Sequence, residues 1–313
     1  MAAGPVLAVG VCEALGWTWV YGIAALVACS SALLCVAMQE SRPSKLLSER
    51  VELVAQQSGY KHLTTDTEDS LPTLKEFFRK SLWQPIRLCA EPIIVVVSIM
   101  AATVVAVVYL FSEVLGEVYI TGFGFSERDY SLVFIAIGLG AIFSLLPRFY
   151  DVHVAKKRER NNEILEPEDK LFGFYLAAPV LACGLWWFAW TVPPLVNIGS
   201  WPSVLALLLI GYGVVEFDSA LSGYLTDAYA SYAASASAPM STLRATLSGV
   251  FPLFGRKFFV AVGNNYALSI LASFATCFCG IAVLFRMYGR RIREKSPFAI
   301  SNRESALPMR KFT

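Results

Sequence analysis

The sequence is poor in charge. Only 16% of its 313 residues are Asp, Glu, Lys or Arg, against about 25% in a soluble domain. With a mean hydropathy of +0.56, that deficit argues against a water-soluble globule and for a chain that lives in lipid. Histidine is nearly absent. His62 and His153 both lie in polar segments, so no His-rich metal site can be assembled. No phosphate-binding glycine loop occurs, and no nucleophile, base and oxyanion donor cluster together, which sets an enzyme aside. The seven cysteines (12, 29, 35, 89, 183, 277 and 279) lie in or beside apolar runs. They read as small core residues and not as a disulfide framework.

What the sequence has in quantity is long apolar runs. A helix needs about 20 apolar residues to cross a bilayer. Candidate spans are 18–38, 92–112, 130–147, 171–191, 202–224, 233–254 and 266–286, and residues 1–12 read as the end of a further one. A secretory leader is the alternative for that start. It is disfavoured by the missing positive n-region and by Glu13 directly after the apolar stretch. Connections 39–91, 148–170 and 286–313 hold 8, 6 and 8 Lys or Arg, while 113–129, 192–201 and 255–265 hold 1, 0 and 2. Positive charge collects on the cytoplasmic side, so the first set is expected there. Trp17, Trp19, Trp186, Trp187, Trp190 and Trp201 all fall near the expected outer interface, where an amphipathic ring is favoured. Trp83 lies in the long connection instead.

Within 39–91 the middle, QQSGYKHLTTDTEDSLPT, is polar and turn-rich and reads as flexible. It gives way to TLKEFFRKSLWQPIRL, with Leu74, Phe77, Phe78, Leu82 and Trp83 at helical spacing and basic residues between. That pattern predicts a short interfacial helix on the inner leaflet. The tail 287–313 is basic, reads as disordered, and would be drawn to anionic lipid.

Residues 227–254, DAYASYAASASAPMSTLRATLSGVFPLF, stand apart by their Ala and Ser content. Ala233, Ser237, Ser241, Ala245 and Gly249 recur every fourth residue and form a line of small side chains on one helix face. Such rows let helices approach closely in lipid, so a packing interface is expected there. Arg244 sits at mid-span, where a cation costs at least ~2.5–3.5 kcal/mol. It must face an aqueous cavity or an acid. Acids are available in or beside other spans: Glu216, Asp218, Asp227 and Glu91. Asp227 and Glu91, near the interface, suit a structural or gating role. Glu216 and Asp218 are two residues apart on one helix and cannot point the same way, so at most one faces a cavity.

The same run resembles the tenth-to-eleventh helix region of fungal major facilitator superfamily transporters. The branch is the drug/proton antiporters, which includes multidrug, polyamine and secondary-metabolite efflux pumps. The resemblance rests on Asp227-Ala228-Tyr229, Tyr232-Ala233-Ala234-Ser235-Ala236, Arg244, Gly249 and Phe251-Pro252-Leu253-Phe254. GPVL with EALGWTWVYGI (4–23) is similar to the end of the family's fifth helix and the start of its sixth. Glu91-Pro92-Ile93 is similar to the start of the seventh, 167–191 to the ninth, and YGRRIR (288–293) to the end of the twelfth. Two departures stand out. The fifth-helix signature usually continues Gly-Pro-x-x-Gly-Gly, and here Ala8-Val9 comes after Gly4-Pro5-Val6-Leu7. Glu216 and Asp218 fall where the family is usually apolar, so no role carries over to them.

The resemblance implies an all-α polytopic membrane protein whose fold has two six-helix halves with substrate between them near the midplane. On that scheme the chain begins within the fifth helix. Residues 1–38 are a remnant of the first half, 39–91 a cytoplasmic connection, 92–286 the C-terminal six-helix domain and 287–313 a basic cytoplasmic tail. The implied activity is proton-coupled efflux of small amphipathic molecules by alternating access. It needs a carboxyl that exchanges its proton during the cycle and no bound cofactor. The expected partners are the bilayer, a small-molecule substrate and the missing N-terminal half, with no nucleic acid, and the expected location is the plasma membrane. Arg244, Glu216, Asp218 and Tyr212 are the transport candidates. Tyr229, Tyr232, Gly249 and Pro252 join Asp227 and Glu91 as structural or gating candidates, with Tyr224, Tyr229 and Tyr232 favoured as packing residues. A truncated, transport-inactive half is the alternative. A seven-span receptor is a remote one, since Glu127-Arg128-Asp129-Tyr130 lies at the wrong end of its span.

Overall fold

A computed structural model describes residues 3–38, 43–58, 83–161, 167–194 and 198–294, and every regular element among them is helical. Among the described residues seven helices are long and apolar enough to cross a membrane, at the places the hydropathy marks. The chain divides into two compact units, residues 11–82 and residues 83–313 together with the first ten.

The helix α1 (Ala3–Leu15) is apolar but too short to span, and Gly16, at φ 89°, separates it from α2 (Trp17–Ala37). That backbone conformation is strained for any residue with a Cβ. The smaller unit also holds α3 (Pro43–Ser58), which the sequence reading did not anticipate. Its signal is present but short: Leu47, Val51 and Val54 recur at helical spacing. Most of the expected interfacial helix, up to Leu82, lies outside the described residues. Directly after it the chain forms the brief α4 (Gln84–Leu88).

The larger unit is built from α5 (Pro92–Gly116), α6 (Glu127–Phe143), α7 (Leu146–Arg160), α8 (Phe172–Thr191), α9 (Trp201–Ala228), α10 (Ala233–Val262) and α11 (Asn264–Glu294). Local chemistry sets their ends. Pro92 and Pro202 stand at first-turn positions where the lost N–H costs nothing. Ser126 caps α6, its Oγ accepting from the Asp129 N–H at 3.2 Å. Gly263, at φ 88°, turns the chain between α10 and α11. The last helix continues to Glu294, past the point where its hydropathy predicts the end of the span.

Helix α9 is the centre of this unit. It packs on α6 on one side and α8 on the other, while α10 lies along α5 and α11 along α8. Glycines permit the approach. A Cβ on Gly140 would strike the Leu208 carbonyl, one on Gly211 would strike the Ile137 carbonyl, and one on Gly213 would lie 2.7 Å from Leu181 Cβ. Aromatic pairs fill the space between, among them Phe111 with Phe188 and Phe174 with Phe217, at centroid distances of 5.3 and 5.1 Å. Two buried polar contacts tie helix ends together. Tyr119, in the π-helical turn Glu117–Gly122 after α5, shares a 2.8 Å hydrogen bond with Ser203 of α9. Asn265 donates to the Ala189 and Val192 carbonyls at 2.7 and 2.9 Å, closing the C-terminus of α8.

The glycine contacts generate a paired expectation. Gly211→Leu places a side chain against backbone that cannot yield, beyond the ~1–3 kcal/mol of ordinary overpacking. Gly223→Leu, on the same helix with open space around it, is tolerated. The check is the yield and thermal midpoint of each variant purified in detergent, with only the first expected to fall sharply.

Candidate functional site

Helices α5, α6 and α9, with Pro5 of α1, border a concavity of about 620 Å³ whose walls include Tyr109, Phe111, Tyr130, Phe134, Ile137 and Val214. A second, of about 480 Å³, lies between α5, α9 and α10 and is lined by Tyr109, Asp218, Ser219, Ser241, Arg244 and Ser248 among others. The two share Val108, Tyr109, Val214 and Val215. They form one cleft with an apolar, aromatic end and a polar end.

Arg244 donates from Nη2 to Asp218 across the polar end. Both side chains keep about a third of their surface open, 31% and 29%. The pair answers the cost of a mid-span cation while leaving both groups accessible from the cleft. Ser219, Ser241 and Ser248 line the same concavity.

Glu216 and Tyr212 do not share this cleft. Two residues turn an α-helix by about 200°, so Glu216 leaves α9 on the side away from Asp218, and Tyr212, one turn earlier, goes with it. Glu216 is 1% exposed and accepts from Arg148 Nη2 at 3.2 Å; Arg148 also reaches Asp151 at 3.4 Å. The carboxylate lies directly on Gly173, where a Cβ would fall 2.8 Å from Glu216 Cδ. Tyr212 lines an outward-facing groove between α6, α7, α8 and α9. Of the four transport candidates, the cleft therefore brings together Arg244 and Asp218 and leaves Glu216 and Tyr212 outside, in keeping with the expectation that at most one of Glu216 and Asp218 faces a cavity.

Asp227 pairs with Lys170 at 2.7 Å, joining the end of α9 to the turn Pro167–Lys170 that leads into α8. Arg158 of α7 reaches Asp169 of the same turn at 2.7 Å. Glu91 is 9% exposed at the N-cap position of α5. Tyr224 and Tyr229 are buried and Tyr232 half-buried, away from the cleft lining. Pro252 is half-buried within α10.

The small-residue row also reads differently in three dimensions. Ala233 and Ser237 are half-buried, but Ser241, Ala245 and Gly249 are exposed, and a Cβ on Gly249 would meet nothing within 4 Å. The buried residues of α10 are Ala236, Pro239, Met240, Gly255 and Phe259. Ser241 and Ala245 instead line the cleft. Small side chains serve an open cleft as well as a tight interface, and the sequence alone does not separate the two.

Sequence reasoning missed Arg148 as the partner of Glu216, and it missed Tyr109, Tyr130, Phe134, Ser219 and Ser248 as cleft residues. Arg148 was legible only as part of a basic connection. A polar aromatic at mid-span, Tyr109, was the signal available for the cleft.

The model of the Major Facilitator Superfamily matches residues 1–253. The chain is 30% identical over 303 residues to the efflux pump FUBT of Fusarium oxysporum, covering 95% of this chain and 51% of that protein. It is 30% identical over 292 residues to the MFS-type efflux pump MFS2 of Trichophyton rubrum, covering 92% and 49%. It is 28% identical over 304 residues to the efflux pump radE of Floropilus chiversii, covering 96% and 56%. The chain spans about half the length of the curated relatives it matches. No solved structure matches it significantly.

The buried carboxylate yields a stability test. Arg148→Gln leaves Glu216 in the bundle without its cation. A broken buried pair costs ~3–5 kcal/mol, and because Arg148 is 39% exposed the expected loss here is lower, about 2 kcal/mol. Adding Glu216→Gln removes the stranded charge and restores most of it. Denaturation midpoints of the two single variants and the double variant read the coupling directly; equal midpoints for wild type and Arg148→Gln would show the pair to be idle.

Proposed function

The chain belongs to the Major Facilitator Superfamily, and from that membership we propose that it is the C-terminal, substrate-binding half of an efflux transporter of the plasma membrane. The substrate class is a small amphipathic molecule: a drug, toxin, polyamine or secondary metabolite. The observation that carries this reading is the Asp218–Arg244 pair, set at the polar end of a cleft whose other end is aromatic. An amphipathic molecule places its apolar body against Tyr130 and Phe134 and its polar group near the ion pair. The names of the similar efflux pumps support the same direction of transport.

The mechanism proposed is alternating access, in which two six-helix halves rock about the bound substrate. Asp218 is the acid best placed to couple transport to a proton gradient. It can exchange Arg244 for a proton, releasing the guanidinium toward the substrate. Glu216 is poorly placed for that role, since it is sealed against Gly173 and held by Arg148.

The test is export of fluorescent amphiphiles from cells producing this chain together with the amino-terminal half of a relative such as FUBT, and from cells producing the chain alone. Efflux from the first and not the second is the expected result; retention of every probe at control levels in both sinks the proposal. Arg244→Ala is expected to cut export by on the order of tenfold or more, the scale set by stranding one charge of a pair, at unchanged membrane abundance. Wild-type export should rise as the outside is acidified, because the inward proton gradient grows. Asp218→Asn should export at a rate indifferent to external pH.

A further inference from the structure

The groove lined by Tyr212 lies on the face of α9 turned away from the cleft. It holds about 440 Å³, opens outward between α6, α7, α8 and α9, and is lined only by apolar and aromatic residues, among them Phe143, Leu146, Tyr150, Leu176, Val180 and Leu209. We propose that this groove binds one anionic phospholipid, with an acyl chain in the groove and the headgroup held by the exposed basic face of α7.

An apolar groove in a bilayer is filled by hydrocarbon, because an empty one forfeits the contacts of its lining. The groove's wall includes Tyr150 packed at a tilt against Phe172, ring centroids 4.3 Å apart. From Tyr150 the same face of α7 continues through His153 to Lys157, which lies seven residues on, about 10 Å along the axis. That spacing carries the chain from the hydrocarbon depth of the groove to headgroup level.

The charge on this face is available. Lys156, Lys157 and Arg160 are exposed, and no ion pair among the described residues involves them. The basic residues on the inner side of α7 are already engaged, Arg148 with Glu216 and Asp151 and Arg158 with Asp169. Among the described acids, Asp151 and Asp169 are held in those pairs, and Glu159 lies one turn from Lys156 but leaves the helix about 200° from Lys157, so Lys157 is the cation that no acid on its own face offsets. A headgroup of net negative charge therefore gains what a zwitterionic one does not. Each basic residue near an anionic surface is worth roughly fivefold in binding.

Native mass spectrometry of the purified chain in neutral detergent, titrated with phosphatidylserine and with phosphatidylcholine of the same acyl chains, tests this. The expected result is one retained phosphatidylserine with at least roughly tenfold preference over phosphatidylcholine. Lys157→Gln should lower that preference by about fivefold with lipid still bound, and replacing Lys156, Lys157 and Arg160 together by Gln should abolish it. Val180→Trp, which fills the groove, should lose the retained lipid whatever its headgroup; the lysine variants, being on the surface, keep the test open should that variant fold poorly. Equal retention of the two lipids by the wild type overturns the proposal. So does undiminished phosphatidylserine binding by a folded Val180→Trp protein, which would assign the interaction to the basic segment after Arg286.

Discussion

A charge inside hydrocarbon must be answered by a neighbouring helix, and the larger unit is arranged around that demand. Asp218 is answered by Arg244 of α10, Glu216 by Arg148 of α7, and Asp227 by Lys170 ahead of α8. All three acids belong to α9, and each pair runs in a different direction. The central helix is thus tied to α10 and α7 by groups that cannot be left alone in the bilayer, and to the turn ahead of α8 by a half-exposed pair at its interfacial end. The glycines complete the arrangement. Gly211 and Gly213 bring the backbones of α6 and α8 against α9, and Gly173 makes room for the Glu216 carboxylate itself. Close approach and charge pairing are one constraint: without the first, the side chains could not meet.

The two acids in mid-helix nevertheless have different consequences. Glu216 is sealed, and its cation arrives from the end of a neighbouring helix. At 1% exposure the carboxylate has no open surface at which to take a different partner. Asp218 and Arg244 keep about a third of their surface on the cleft, so either can take a new partner without a change in the helices. Position on the helix decides this difference. A two-residue step sends one carboxylate into the packing and the other into the cleft.

The spans were legible because hydropathy is a local property: 92–112 and 171–191 fall within Pro92–Gly122 and on Phe172–Thr191 almost residue for residue. That Arg244 needs an acid was legible for the same reason, as was the divergence of Glu216 and Asp218. The choice among four acids was not, because it depends on which helices become neighbours. Arg148 was invisible as a partner because it lies 68 residues from Glu216 in the chain and looks, in sequence, like one more interfacial arginine. The row from Ala233 to Gly249 was legible as a face and not as a contact: within this chain its members from Ser241 on are exposed. Its periodicity is real, but periodicity identifies a face and not what the face meets. The short helix Pro43–Ser58 escaped notice because its apolar repeat spans barely two turns.

The open face of α10 carries a further argument about what that side of the unit must meet. Its hydroxyls do not require water. Thr242, Thr246 and Ser248 each bond back to a carbonyl of their own helix, at 2.9 Å, so they can border lipid or protein at little cost. Apolar Leu253 and Phe254, also exposed, would accept lipid as readily. Arg244 and Asp218 differ. Even paired, a guanidinium and a carboxylate each about a third exposed cannot face acyl chains without desolvation that the single ion pair does not repay. The cleft therefore has to open onto something polar. Water, a substrate's polar group or a facing protein wall would each suffice, and alternating access would present all three in turn.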